Sequence, residues 1–415
     1  HSQDELAMID QSRATATRPL ESSPNDGRVI AALCVASFLA ALNFFGTAPF
    51  YPDIARDLDT TVPLVGQVTT MMILISTILG LAVGPIADRY GYRLMLVVGV
   101  IAIGVNLIGI GLAPSYFVML GLSICGGLAD ALVFGLPLAI AGIRFTGAAQ
   151  KKAMGWTIGS LSSASIIGTP ILTTIGSVVG WRGALVGAGT VTMLAAWFVR
   201  ASLPEDHHQA GTSLRVRDIA SAYLPVIRHR PTLRLYVASA LRSVTWIGFI
   251  TYLGAFLAEG LDLGTRQVGL VYMMSGIGYA IGSVLSARVS VLSPRTTFSI
   301  ATLIGAAVIA AVLVISVIPV SVSMVVVGSL ASAFAGLALA TILVNESPAG
   351  TGTTMVLNGS MINLGASVGA LIGGILISAG GYRALGVGLP VFSVAAAILA
   401  LWPAHAKDAV QPTTA

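Results

Sequence analysis

From Val29 to Trp402 the chain is a succession of long apolar runs with short polar interruptions, and no run alternates with the two-residue period of a strand. A helix needs about 20 apolar residues to cross the hydrocarbon core. Twelve stretches meet that need, at about 29–51, 62–87, 93–112, 115–143, 150–179, 182–201, 234–257, 266–285, 297–317, 320–346, 353–379 and 383–403. One polar interval, 203–233, is far longer than the others and separates six stretches from six. The pattern therefore predicts an all-α polytopic membrane protein with a tail at 1–28, a six-helix half at 29–202, a linker at 203–233, a second half at 234–403 and a tail at 404–415. Within the linker, Val216, Ile219, Ala220, Tyr223 and Leu224 recur at helical spacing. They fit a surface helix or, given Pro225, a tether with incidental periodicity.

Composition agrees. Hydrophobic residues make up 55% of the chain and charged residues 9%, with a mean hydropathy of +0.90, whereas a soluble domain carries about 25% charged residues. No soluble segment is large enough to present the net charge of +5 as a basic face, so nucleic acid is not an expected partner. The cations sort by membrane side instead. With both termini in the cytoplasm, all 22 Lys and Arg fall on that side except Arg56, Arg182, Arg266, Arg383 and the intrahelical Arg242. Residues 1–28 lack the apolar core of a signal peptide and read as a cytoplasmic tail. The expected location is a bacterial cytoplasmic membrane, as a monomer. Cys34 and Cys125 lie in apolar stretches and read as reduced, the five histidines fall outside them, and no cluster has metal-ligand spacing, so neither a metal nor another cofactor is expected.

The halves share a register. Gly180-Trp181-Arg182 and Gly381-Tyr382-Arg383 stand 201 positions apart, each between the fifth and sixth stretch of its half. Repeated halves are how transporters build a site at their interface.

Between the second and third stretches lies GPIADRYGYR, residues 84–93, in which Gly84, Asp88, Arg89, Gly91 and Arg93 form Gly-x-x-x-Asp-Arg-x-Gly-x-Arg. Gly91 permits a tight reversal, and the carboxylate stands between cations where two helices leave the bilayer. This loop resembles the signature of the major facilitator superfamily. The resemblance implies two pseudo-symmetric six-helix halves around a central cavity that opens alternately to each side, with Arg144 as a partner for Asp88 in a conformational switch.

Polar residues inside the stretches are candidates for chemistry. An acid at bilayer centre costs ~2.5–3.5 kcal/mol on insertion scales, and Asp130, in GGLADALVFG, is the acid at that depth. Two roles stand open for it: a substrate or proton-coupling group, or a carboxylate satisfied by hydroxyls of a neighbouring helix. Arg242 is its cationic counterpart, with Trp246 one turn on and on the same face; it either faces the cavity or snorkels to the interface. Asn43, in ALNFFGTAPFYPDI, can bind a substrate but carries no proton. Asn345 and Glu346 close the tenth stretch as a gate or as interfacial polar residues. A cavity with Phe44, Phe45, Met71, Met72, Tyr272, Met273, Met274, Tyr279 and Trp246 would suit adaptable apolar binding.

The first stretch is similar to that of twelve-helix drug/proton antiporters, but two departures follow. Thr173 and Thr174 replace that branch's glycine pair in the fifth helix, and Ser123 occupies the position of its fourth-helix Arg, which leaves coupling to Asp130. In the eleventh stretch Gly365, Gly369, Gly373 and Gly374 have close-packing spacing. The leading expectation is proton-coupled efflux of small amphipathic organic molecules. A carrier of sugars or anionic metabolites is the second, and a non-transporting sensor or lipid-handling protein of the same fold the third; no nucleophile constellation suggests an enzyme. Asp88→Asn should leave membrane insertion intact yet slow turnover, by shifting the balance of two cavity orientations. Proteoliposome transport at the wild-type rate would contradict this role of the loop.

Overall fold

The computed structural model describes residues 26–204, 229–288, 292–315, 317–348 and 351–402. Residues 1–25 of the tail expected at 1–28, the tail expected at 404–415 and the candidate linker helix lie outside the described residues. The described chain is helical: α1 (Asp26–Phe45), α2 (Tyr51–Asp57), α3 (Val62–Tyr90), α4 (Tyr92–Leu112), α5 (Tyr116–Arg144), α6 (Gly147–Ser163) and α7 (Thr169–Ser202) form the first half. The second comprises α8 (Arg230–Ala255), α9 (Thr265–Arg288), α10 (Pro294–Ile315), α11 (Ile318–Glu346) and α12 (Thr351–Leu401). Ten helical segments among the described residues are long and apolar enough to cross a membrane.

Two of those ten, Ala149–Ser202 and Thr353–Leu401, are each long enough to cross twice. Each is broken by glycine, at Gly180 (φ +77) and at Gly380 with Gly381 (φ +67), dihedrals that a Cβ resists. Past each break the chain folds back on itself: a methyl at Gly176 would stand 3.6 Å from Ala184 Cβ, and one at Gly373 would stand 3.4 Å from Leu385. The two long helices are thus hairpins, and the repeated Gly-aromatic-Arg triplets are their corners. Both corners are braced alike. Trp181 Nε1 donates to Asp57 Oδ2 at 2.8 Å, and Tyr382 Oη donates to Glu259 Oε2 at 2.6 Å.

The fifth stretch passes through a wide turn, Ala164–Gly168, between α6 and α7. Pro170 lacks an N–H and its ring crowds the preceding turn, which a π-type turn relieves. Thr169 Oγ1 reaches back five residues to Ala164 O at 3.4 Å. Large apolar side chains on the bundle's outside, among them Phe117, Val178 and Trp197, are exposed as a lipid-facing surface requires.

Contacts at one end gather the helix ends near the two chain termini: Arg144 pairs with Asp26, and Arg295 donates to Ala400 O. The halves close on each other toward the opposite, far end. There Ser367 Oγ donates to Thr70 O at 3.1 Å, Thr265 Oγ1 to Asp53 Oδ2 at 3.5 Å, and the rings of Tyr51 and Tyr252 meet edge to face. Tyr252 donates to Ala370 O at 2.8 Å and its side chain fills space left by glycine on both sides, since a Cβ on Gly66 would collide with its hydroxyl and one on Gly373 would stand 2.7 Å from its ring.

Gly66→Ala should therefore open the far end. Overpacking costs about 1–3 kcal/mol, which moves a two-state equilibrium roughly 5–150-fold. Spin labels at the exposed Asp59 and Asp262 should report a longer distance in the variant; an unchanged distribution would show that this packing does not hold the end shut.

Candidate functional site

A cavity of about 290 Å³ lies between the halves. Phe45 of α1 and Phe134 of α5 contribute from the first half, with Ser162 of α6 and Ser165 of the wide turn; Arg242, Ser243, Trp246, Tyr272, Ser275, Tyr279, Ser329 and Ser332 come from α8, α9 and α11. The lining is aromatic and hydroxyl-rich. It carries one guanidinium, and none of its described residues has a carboxylate.

Helical spacing puts Arg242 and Trp246 on one face of α8. Arg242 Nη1 donates to Ser332 Oγ at 3.1 Å, holding the guanidinium against α11 at the cavity wall. Gly328 lets the indole approach α11 closely, because a Cβ there would stand 3.0 Å from the ring. Trp246 also packs against Phe249, ring centres 6.0 Å apart. The Tyr272 hydroxyl is satisfied internally, donating to Ile250 O at 2.8 Å and accepting from Gly254 N at 3.2 Å, so it offers the cavity mostly a ring.

Asp130 is placed differently from the sequence expectation. Its side chain is 2% exposed and does not line the cavity; it faces α1 and α4 inside the first half. Asn43 Nδ2 donates to Asp130 Oδ1 at 3.0 Å, and Asn106 Nδ2 donates to Asn43 Oδ1 at 2.9 Å. A chain of three polar side chains thus links α5, α1 and α4. Two ends of it are bare, since Asp130 Oδ2 and Asn106 Oδ1 are buried without a partner. Among the described residues Asp130 makes no ion pair, and no contact joins it to Arg242. Asn106 is the residue that the sequence reading passed over; its signal is a lone amide in the apolar run of α4.

The repeat register explains the relation of the two polar sites. A shift of 202, one more than at the hairpin corners, carries Asp130 onto Ser332, Gly126 onto Gly328 and Asn106 onto Val308. The packing repeats too: a Cβ on Gly126 would stand 2.9 Å from Asn106 Oδ1, and one on Gly328 would stand 2.9 Å from Val308 Cγ1. At one skeletal position the first half has a carboxylate that accepts from an amide, and the second a hydroxyl that accepts from a guanidinium. The halves share geometry and differ in charge.

At the terminal end, Gly91 turns the chain at φ +96 as expected, and Arg89 stacks over Tyr90, 5.3 Å to the ring centre. Arg93 donates through Nε and Nη2 to Arg200 O at 3.2 and 2.9 Å. Arg144 pairs with Asp26 at 3.6 Å; the side chains of Gly84 and Asp88, and with them the expected partnership of Asp88 and Arg144, lie outside the described residues. The second half has a matching brace without an acid in its loop. Arg295, 202 positions after Arg93, donates to Ala400 O at 2.8 Å and grips Glu346 with Nε and Nη2, at 3.3 and 2.5 Å. Glu346 is thereby tied to α10, and Asn345 is exposed.

Of the apolar candidates, Phe45, Tyr272, Tyr279 and Trp246 line the cavity. Met72 is buried against Asn43, with Sδ 3.8 Å from Nδ2, while Met71 and Met274 are exposed. Phe44 stands edge-on to Phe134, ring centres 6.0 Å apart. Both cysteines are free.

Residues 33–356 match the family profile described as Major Facilitator Superfamily. A protein of Pseudomonas aeruginosa named transcription regulatory protein OpdE is 24% identical over 96% of this chain and 99% of its own. The inner membrane transport protein YdhP of Escherichia coli is 25% identical over 92% of this chain and 96% of its own. The crystal structure of a bacterial homolog of the human lysosomal transporter Spinster, inward-facing and occupied, superposes with a TM-score of 0.72 at 16% identity, over 91% of this chain and 97% of that one. With the fold, the interface cavity and the family profile in agreement, the chain belongs to the Major Facilitator Superfamily, whose members are multi-pass membrane transport proteins.

Proposed function

We propose that the chain exports small amphipathic organic molecules bearing an anionic group, by alternating access, in exchange for protons taken up at Asp130. The observation that carries this reading is the interface cavity, with one guanidinium, aromatic walls and no facing carboxylate. A desolvated guanidinium without an acid favours a carboxylate, sulfonate or phosphate ligand. The rings of Phe45, Phe134 and Trp246 suit an apolar body. One solute thus joins the amphipathic and anionic expectations drawn from the sequence.

The basic-residue asymmetry assigns the terminal end to the cytoplasm, so closure at the far end corresponds to an inward-open state. Outward movement would require the far-end contacts of Tyr252 to part while the terminal ends come together. The direction of export rests on the antiporter-like first stretch.

Asp130 and the cavity are separate but mechanically joined. Asn43, which donates to Asp130, immediately precedes Phe44, and Phe45 lines the cavity; Phe134, against which Phe44 packs, stands one turn after Asp130. A proton added at the bare Oδ2 removes the anionic acceptor for Asn43 and weakens that bond, because charge-assisted hydrogen bonds are the stronger kind. The change is delivered to α1 and α5 at the cavity wall. Proton and solute would then act through one shared element without sharing a binding site. A purely regulatory role, as in the name of the Pseudomonas relative, gives no account of a solute-sized cavity on the boundary of two closing halves.

A thermal-shift screen of organic anions against the purified protein should supply a ligand for proteoliposome assays. Asp130→Asn keeps size and hydrogen bonding, so it should preserve ligand binding and downhill exchange while abolishing accumulation driven by an imposed pH gradient. Uphill transport by that variant would rule out Asp130 as the coupling group.

A further inference from the structure

Behind Arg242, away from the central cavity, a second and much smaller space of about 20 Å³ lies among α8, α10, α11 and the second arm of α12. Its polar lining is Arg242, Thr245, Trp246, Thr302, Ser332 and Ser393. Two polar atoms of residues lining this space are buried without a hydrogen-bond partner, Arg242 Nε and Thr302 Oγ1. Thr302 is 3% exposed and Ser393 is also 3% exposed. Buried polar groups without a hydrogen-bond partner are costly and call for one.

The chemistry of the lining restricts that ligand. Arg242 Nε offers only a hydrogen. The Thr302 and Ser393 hydroxyls can both donate, and Ser332 keeps its own hydrogen while accepting from Arg242 Nη1. Thr245 Oγ1 is already committed as a donor to Leu389 O at 2.8 Å. The pocket is therefore rich in donors and holds a fixed positive charge with no carboxylate among its described residues. A space somewhat above 10–15 Å³ admits a single water-sized particle. A water would satisfy two donors but leave the half-buried guanidinium without a counter-charge whenever the central cavity is empty, and a cation held inside a membrane bundle calls for one.

We propose that this rear pocket binds one monovalent anion of chloride size, held by Arg242 Nε, Thr302 Oγ1 and Ser393 Oγ. The ion compensates Arg242 on the side opposite the transported solute, so the guanidinium remains seated against Ser332 when the central cavity is empty. The site is independent of the solute's identity. Thr302 lines the rear pocket and is absent from the central cavity, which separates the two sites experimentally.

The test compares thermal unfolding of the full chain in chloride, bromide and the smaller, strongly hydrated fluoride at matched ionic strength, without any organic anion, for wild type and Thr302→Val. The expected result is a saturable rise in Tm with chloride and bromide over fluoride in the wild type, lost in Thr302→Val. Indifference of the wild type to the anion, or an equal response in the variant, would overturn the proposal, the latter placing any halide elsewhere. If Thr302→Val does not fold, anomalous diffraction from wild-type crystals grown in bromide decides. A peak between Arg242 and Thr302 supports the site, and ordered density there without an anomalous signal assigns a water and overturns it.

Discussion

The hydrogen bond from Asn43 to Asp130 is the interaction on which the arrangement of the first half turns. A carboxylate buried to 2% exposure within a membrane bundle finds no bulk water to solvate it and must be met by its own protein. α1 meets it with an amide, and α4 supports that amide with another. The three helices are fixed in rotation by this chain, and fixing α1 decides which of its residues reach the central space. Phe45 faces the cavity because Asn43 faces α5.

The second half solves the same packing problem with different chemistry. Its packing repeats in register, down to the glycine that admits a neighbour from the adjoining helix, yet it has Ser332 in place of the carboxylate, and its polar contact there comes from Arg242 on α8. Opposite charges are therefore segregated, one to each half, and no contact among the described residues joins them. On the proposed reading, a duplicated scaffold with unequal polar content lets two ligands of opposite charge, a proton and an organic anion, bias one rocking motion from separate seats.

Much of this was legible in the chain before any coordinates. Spanning stretches follow from run length, the two halves from the long polar interval, and the hairpin corners from the repeated Gly-aromatic-Arg triplets. The pairing of Arg242 with Trp246 on one face needed only helical spacing. What could not be read was the direction each face takes. When nearly every face of a helix is apolar, hydropathy gives no preferred rotation, so Asp130 was expected at the cavity although it points toward α1 and α4. Asn106 escaped notice for the same reason, an amide whose partner depends on rotation rather than sequence distance. Arg144 meeting Asp26, and Arg295 meeting Glu346, likewise depend on which helix ends converge. The serines of the central lining are indistinguishable in sequence from those elsewhere that only bond their own helix backbone, as Ser177 and Ser283 do.

The account stands most directly on the charge of the central cavity. Binding of a carboxylate ligand and of its primary amide, otherwise identical, should be measured by calorimetry on wild type and on Arg242→Gln. A hydrogen bond to a charged group is worth about 1.5–3 kcal/mol, so the wild type should prefer the carboxylate roughly 10- to 150-fold. Arg242→Gln should bind the two alike. A carboxylate preference of undiminished size in Arg242→Gln would contradict the assignment of Arg242 as the group that selects the transported anion.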